Sequence, residues 1–224
     1  DPTNPVGDFE AETTEDLVAQ VFSELGYERN VQLSLGVPAP ELLPVAKLSK
    51  AVVQAMRTLP AGGTSYDRVH GSITLRRQVA RSSLRWGQAL HEDDIVTTDG
   101  CMHALALCLI AVTKRGDTIA VESPVYFGIL QLAQSLGLHV LELPTHAVLG
   151  VDIDALRRNI VRKRIQACVL ISNFSNPLGC TIPDDHKRAI VQLMQQYNIP
   201  LIEDDLYGDI YFGSHRPTTC KTYD

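Results

Sequence analysis

Several apolar runs in this chain end in side chains suited to a small, charged, flat molecule. "TTDGCMHAL" passes through a glycine into a helical pattern, so the amides of Gly100, Cys101 and Met102 can point from a first turn toward an anion. An ordinary glycine turn that binds nothing has the same sequence. "VESPVYFG" puts Tyr126 at the start of the next helix, where its ring either covers a heterocycle or simply packs. "SNFSNPLG" offers the amide of Asn176 in what is otherwise a turn with its glycine at a positive backbone angle. "LIEDDLYGD" ends a strand pattern in Asp204, and a carboxylate there needs a cationic or hydrogen-bonding partner to offset its desolvation. A protonated ring nitrogen, a metal or an arginine would each serve. Asp205 points away from Asp204 along an extended chain, so the adjacent acids need not form a pair.

The elements that carry these ends alternate. "DDIVTTDG", "DTIAVE", "HVLELP", "ACVLISN" and "PLIEDD" read as five strands, with helices at "CMHALALCLIAV" (largely buried), "YFGILQLAQSLG", "DIDALRRNIVRKR" and "DDHKRAIVQLMQQYN" between them. Such alternation predicts an α/β fold of three layers, a mainly parallel sheet with helices on both faces. Ahead of it, residues 1–12 read as a linker, "TTEDLVAQVFSELGY" as a helix, and Val45 to Arg57 as another helix. In such sheets ligands lie beyond the carboxyl ends of the strands, where the polar clusters fall. Together they describe a pocket for a phosphate, a flat ring, a hydrogen-bonding ring substituent and a basic ring nitrogen. Pyridoxal 5'-phosphate has all four.

Composition narrows the alternatives. The 224 residues carry a net charge of -6, with 45% hydrophobic and 21% charged residues, which fits a globular chain rather than a basic nucleic-acid binder. The acidic opening is unlike a signal peptide and no run is long enough to span a bilayer, so a cytoplasmic protein is expected. Five scattered cysteines make no metal or redox spacing and read as buried thiols, and no metal site is expected. The chain has no GxGxxG, Walker or GxSxG turn. The basic end of "RRNIVRKR" follows acidic residues at the start of the same helix, as on any solvated helix.

The series "YDRVHGSITLR", "TTDGCMHAL", "VESPVYFG", "SNFSNPLG" and "IEDDLYGDIYF" closely resembles the large domain of fold type I pyridoxal-phosphate enzymes, the aspartate aminotransferase superfamily. The resemblance covers residues 31–224, with residues 1–30 as linker and helix. It implies that Gly100, Cys101 and Met102 hold the cofactor phosphate, that Tyr126 stacks on the pyridine, and that Asn176 and Tyr207 bond its ring oxygen. Asp204 would pair with the protonated ring nitrogen. Tyr66 would reach the cofactor of a neighbouring subunit, which implies a homodimer. "LSLGVPAPELLPVAKLSKAV" and the acidic "IEDDLYGD" are most similar to the effector domain of GntR-type regulators of the MocR class, whose DNA contacts come from an N-terminal winged helix-turn-helix. True aminotransferases share much of this pattern, so a small-molecule amine or amino acid is implied as effector or substrate.

The departures from the pattern concern its downstream half. The Schiff-base lysine, the following arginine and the small C-terminal domain have no counterpart before Asp224, so the large domain is expected to be incomplete and this stretch inactive in transamination. Lys221 lacks the required surroundings, and Lys187, within a helix, is expected to be solvated. Loss of the last strands would leave "DIVTT" and "PLIEDD" without neighbours, and the piece alone is expected to be unstable.

Overall fold

Val121, Val169 and their neighbours explain why the sheet forms where it does. In the computed structural model, which describes residues 38–162 and 165–224, the chain divides into two units at Asp67 and Arg68. The first unit contains α1 (Val45–Thr58), none of whose residues is buried, and a turn at Pro60–Gly63. The expected helix at "TTEDLVAQVFSELGY" lies outside the described residues.

The second unit holds α2 (Ile73–Ser83), α3 (Cys101–Val112), β1 (Thr118–Ser123), α4 (Phe127–Leu136), β2 (His139–His146), β3 (Gly150–Val151), α5 (Ile153–Arg162), β4 (Ile165–Ile171), α6 (Asp184–Tyr197) and β5 (Leu201–Asp204). The sheet order is β3-β2-β1-β4-β5. β1 pairs in parallel with β2 and β4, and β4 with β5; only the short β3 is antiparallel. Successive side chains of the central strands feed two cores. Ala120, Cys168 and Leu170 pack with Leu156, Ile190 and Met194 beneath α5 and α6. Ile119, Val121, Val169 and Ile171 pack with Leu105, Leu109 and Ile129 beneath α3 and α4. Three layers result, as the alternation predicts.

The expectations for "DIVTT" and for the burial of α3 need correction. "DIVTT" forms no strand: a short 3-10 turn at Glu92–Asp94 leads into irregular chain, since no neighbouring strand among the described residues supplies a ladder. β3 was not anticipated, because two residues give no period to read. α3 is buried only at Leu105 and Leu109, while Leu107, Ile110 and Val112 are exposed. β5, the edge strand among the described residues, is half-buried throughout.

β1 and β4 lie side by side while their following connections run to opposite sides, β1 to β2 and β4 to β5. A crevice at their carboxyl ends is the topological switch point where such sheets take ligands.

Candidate functional site

The turn into α3 presents its amides openly. Gly100 is the N-cap, with φ 117°, and no side chain caps the helix. A Cβ at Gly100 would touch nothing within 4 Å, yet that backbone angle is one L-residues rarely adopt. The amides at the start of α3 lack carbonyl partners one turn earlier, which suits an anion. Cys101 is half-buried, and Met102 is 39% exposed.

The Cys101 Sγ donates to Asp204 Oδ2 at 3.5 Å across 103 residues of sequence. Burial, then the charge of Asp204, pushes this thiol up to about 11, so it stays a neutral donor. The other carboxylate oxygen, Oδ1, accepts the Leu206 amide at 3.0 Å. The start of α3 and the end of β5 therefore share one side of the strand ends.

Tyr126 is the N-cap of α4 and is half-buried against the core beneath α3 and α4. Its ring lies 4.7 Å from that of Phe127, and a Cβ on Gly128 would fall 2.4 Å from its Cε1, so the glycine lets the ring lie close over the helix. Asn176 sits half-buried in the turn after β4, with Gly179 at φ 70° as expected. Tyr207 sits half-buried in the turn after β5. Neither the Asn176 amide nor the Tyr207 hydroxyl has a side-chain hydrogen bond among the described residues. Tyr66 belongs to the first unit and is fully exposed.

Three residues matter that the sequence reading passed over or misjudged. Glu122, near the end of β1, is 1% exposed; its Oε1 accepts the Ile171 amide at 3.1 Å and its Oε2 has no partner. Burial drives it up to about 7; the Ile171 amide opposes this, and the negative charge of Asp204 adds to it. A carboxylate inside "TIAVES" was the available signal. Lys187 is not solvated: it is 0% exposed, and its Nζ donates to Asn173 Oδ1 and the Thr218 carbonyl, both at 2.7 Å. It opens a stripe with Ile190, Val191 and Met194, so a period count would have placed it inward. Arg216 pairs with Asp205 and Asp209. Burial works against its charge, but the two carboxylates outweigh burial and keep it protonated. Asp204 and Asp205 thus have separate partners, as expected. Of the cysteines, Cys168, Cys180 and Cys220 are buried but Cys108 is exposed.

A groove of about 1070 Å³ runs beside β5, lined in part by Ala104, Leu105, Met194 and Ile202. It meets the expected cofactor contacts only at Cys101 and Asp204, and it lies against a strand edge with no partner among the described residues. The strand ends are the better candidate site, since Gly100, Met102, Tyr126, Asn176 and Tyr207 all lie outside the groove's lining.

Residues 30–223 match the family of aminotransferases of class I and II, and the chain belongs to that family. It is 38% identical over 189 residues to the uncharacterized HTH-type transcriptional regulator YjiR of Escherichia coli, covering 84% of this chain and 39% of that protein. It is 30% identical over 181 residues to the 2-aminoadipate transaminase of Thermus thermophilus, covering 81% and 44%. The crystal structure of LysN, the alpha-aminoadipate aminotransferase of Thermus thermophilus, in complex with N-(5'-phosphopyridoxyl)-L-leucine, superposes with a TM-score of 0.77 at 28% identity, covering 84% of this chain and 47% of that one. The chain spans less than half the length of these relatives. It is an aminotransferase-like domain related both to regulator effector domains and to aminotransferases. No helix among the described residues is long and apolar enough to cross a membrane.

The site fits a pyridoxal phosphate. Asp204 and Glu122, whose Oε2 alone has no partner, put negative charge near the strand ends, and a cation beside Asp204 would be favoured there. Open amides and two unpaired hydrogen-bonding side chains complete the chemistry of such a ligand.

Proposed function

We propose that this chain forms the cofactor-binding part of a pyridoxal 5'-phosphate effector domain in a cytoplasmic, homodimeric GntR-type regulator of the MocR class. Residues 31–224 are its contribution to the large domain, with residues 1–30 preceding it. A small amine or amino acid is the signal, and an N-terminal winged helix-turn-helix makes the DNA contacts.

The contact between Cys101 and Asp204 carries the reading, because it brings an anion-facing helix start to the carboxylate suited to a ring cation. In this assignment the amides of Gly100, Cys101 and Met102 bind phosphate, and the face of Tyr126 covers the ring. Asn176 and Tyr207 bond the ring oxygen, and Asp204 holds a proton on the ring nitrogen. Tyr66 reaches the phosphate bound by the partner subunit. When bound, pyridoxal phosphate supplies an electron sink for bonds next to an amino group. Asp204 strengthens that sink by keeping the ring cationic, and the apolar strand core behind it limits water.

The test is a titration of the full-length protein with pyridoxal phosphate, followed by absorbance and fluorescence. The wild type should saturate, and Asp204→Asn should weaken binding about ten- to hundred-fold, the worth of a charged hydrogen bond. Equal affinity in both proteins would remove the assignment.

The 30% identity to a 2-aminoadipate transaminase favours a second reading, an amino-acid aminotransferase. A half-reaction with 2-aminoadipate and a DNA-shift assay separate the two: amino transfer without DNA binding selects the enzyme.

A further inference from the structure

We propose that Lys187 is a positioning residue, which through Asn173 and Asp205 holds the turn that presents Asp204 and Tyr207 to the cofactor. The inference rests on the functional reading above, and it concerns a polar network beneath the site rather than the contacts themselves.

Lys187 donates to Asn173 Oδ1, and Asn173 Nδ2 donates in turn to Asp205 Oδ1 at 2.8 Å and to the Thr218 carbonyl at 2.9 Å. Arg216 holds the other oxygen of Asp205 and, at 2.9 Å, Asp209, while its guanidinium lies 5.2 Å from the centre of the Trp86 ring. Asp205 and Asp209 bracket the turn that follows β5, whose backbone closes by Gly208 to Asp205 at 3.2 Å and Ile210 to Tyr207 at 2.8 Å. Asp204 and Tyr207 flank the same anchor. Gly208 packs directly on it: a Cβ there would fall 2.4 Å from Asp205 Oδ1 and 2.5 Å from Arg216 Nη2.

A buried ammonium is an expensive way to fill space. An apolar side chain of similar volume would serve the core of α6 as well or better, so this cation is weak evidence for stability. What it adds is direction. Its bonds fix which way Asn173 faces, and Asn173 then fixes Asp205. Lys187, Asn173, Asp205 and Arg216 each have at least two partners, and a buried polar network holds one geometry when its members are bonded in this way. The Asp204 carboxylate, by contrast, bonds only a thiol and one amide among the described residues, too little to hold the turn by itself.

The experiment uses the full-length protein without cofactor and then with pyridoxal phosphate, comparing wild type, Lys187→Met, Asp205→Asn, their double variant and Gly208→Ala. Hydrogen exchange at the amides of Leu206, Gly208 and Ile210 reads the turn directly. We expect exchange to rise about ten-fold or more in each single variant, with β1 and β4 unchanged. Cofactor affinity should fall about ten-fold, and the double variant should be no worse than either single one, since both break the same tie. Gly208→Ala leaves Lys187 intact and carries the test if Lys187→Met does not fold. Turn exchange within about two-fold of wild type, additive losses, or a loosened turn with unchanged affinity would each overturn the proposal. Wild-type protein that fails to bind pyridoxal phosphate would instead defeat the functional reading and, with it, the cofactor role of Lys187; exchange would still show whether the tie exists.

Discussion

The ends of β4 and β5 are neighbours in the sheet, Ile171 beside Asp204, yet they are built differently. After β4, Ser172, Asn173 and Ser175 are buried and bonded: Ser172 to Glu203, Asn173 to Lys187 and Asp205, and Ser175 to Cys180 at 3.2 Å. Asp204, the last residue of β5, and Tyr207, in the turn beyond it, are half-buried beside a strand with one free edge among the described residues. Full burial with every bond made marks residues that hold the fold. Half-burial with bonding capacity to spare marks residues that can exchange water for a ligand at little cost. Asn176 belongs with the second group although it follows β4.

The largest expected effect breaks the first group. Asn173→Ala strips partners from the buried Lys187 and from Asp205 and should cost about 3 kcal/mol in a urea melt. A loss below about 1 kcal/mol would mean that the β4 end is not the rigid member of the pair.

Next comes pH. Glu122 is raised from 4.5 to about 7 in the fold, so the folded state binds more protons than the unfolded state between those values. Stability is therefore greatest below about 4.5 as far as this group is concerned, and it falls as pH rises toward about 7, at up to about 1.4 kcal/mol per unit. Glu122→Gln can keep the Ile171 amide bond and should flatten that slope. Melts from pH 5 to 8 compare the two, and Asp204→Asn should shift the slope to lower pH by removing the nearby negative charge.

The smallest stability effect belongs to Asn176→Ala. With no side-chain partner among the described residues, it should change stability by less than about 0.5 kcal/mol while weakening pyridoxal phosphate about five- to ten-fold. If instead it destabilises as Asn173→Ala does, the contrast between the two asparagines fails.

Much of this was legible in one dimension. "DTIAVE" and "ACVLISN" became central strands because each holds an unbroken apolar run, Ile119 to Val121 and Ala167 to Ile171, the mark of a strand covered on both faces. Gly100 was legible as a helix start because a glycine stands between a polar stretch and an apolar one. "DIVTT" was not, since strand propensity does not supply a partner. Lys187 was misjudged because its charge outweighed its place in a helical stripe, and the partners that make its burial tolerable come from residues 173 and 218. Arg216 sits in a loop without a period, so nothing local announced its bond to Asp205.

The order of residues by itself determined the alternation of strands and helices and set polar groups at strand ends, because periodicity and turn chemistry act over a few residues. The tertiary structure alone decided which of those groups meet. Cys101 reaches Asp204, Lys187 reaches Asn173, and Glu122 is left with an unsatisfied oxygen, all through the lateral order of the strands. That order depends on how two apolar faces are covered at once, a condition no single stretch of chain contains.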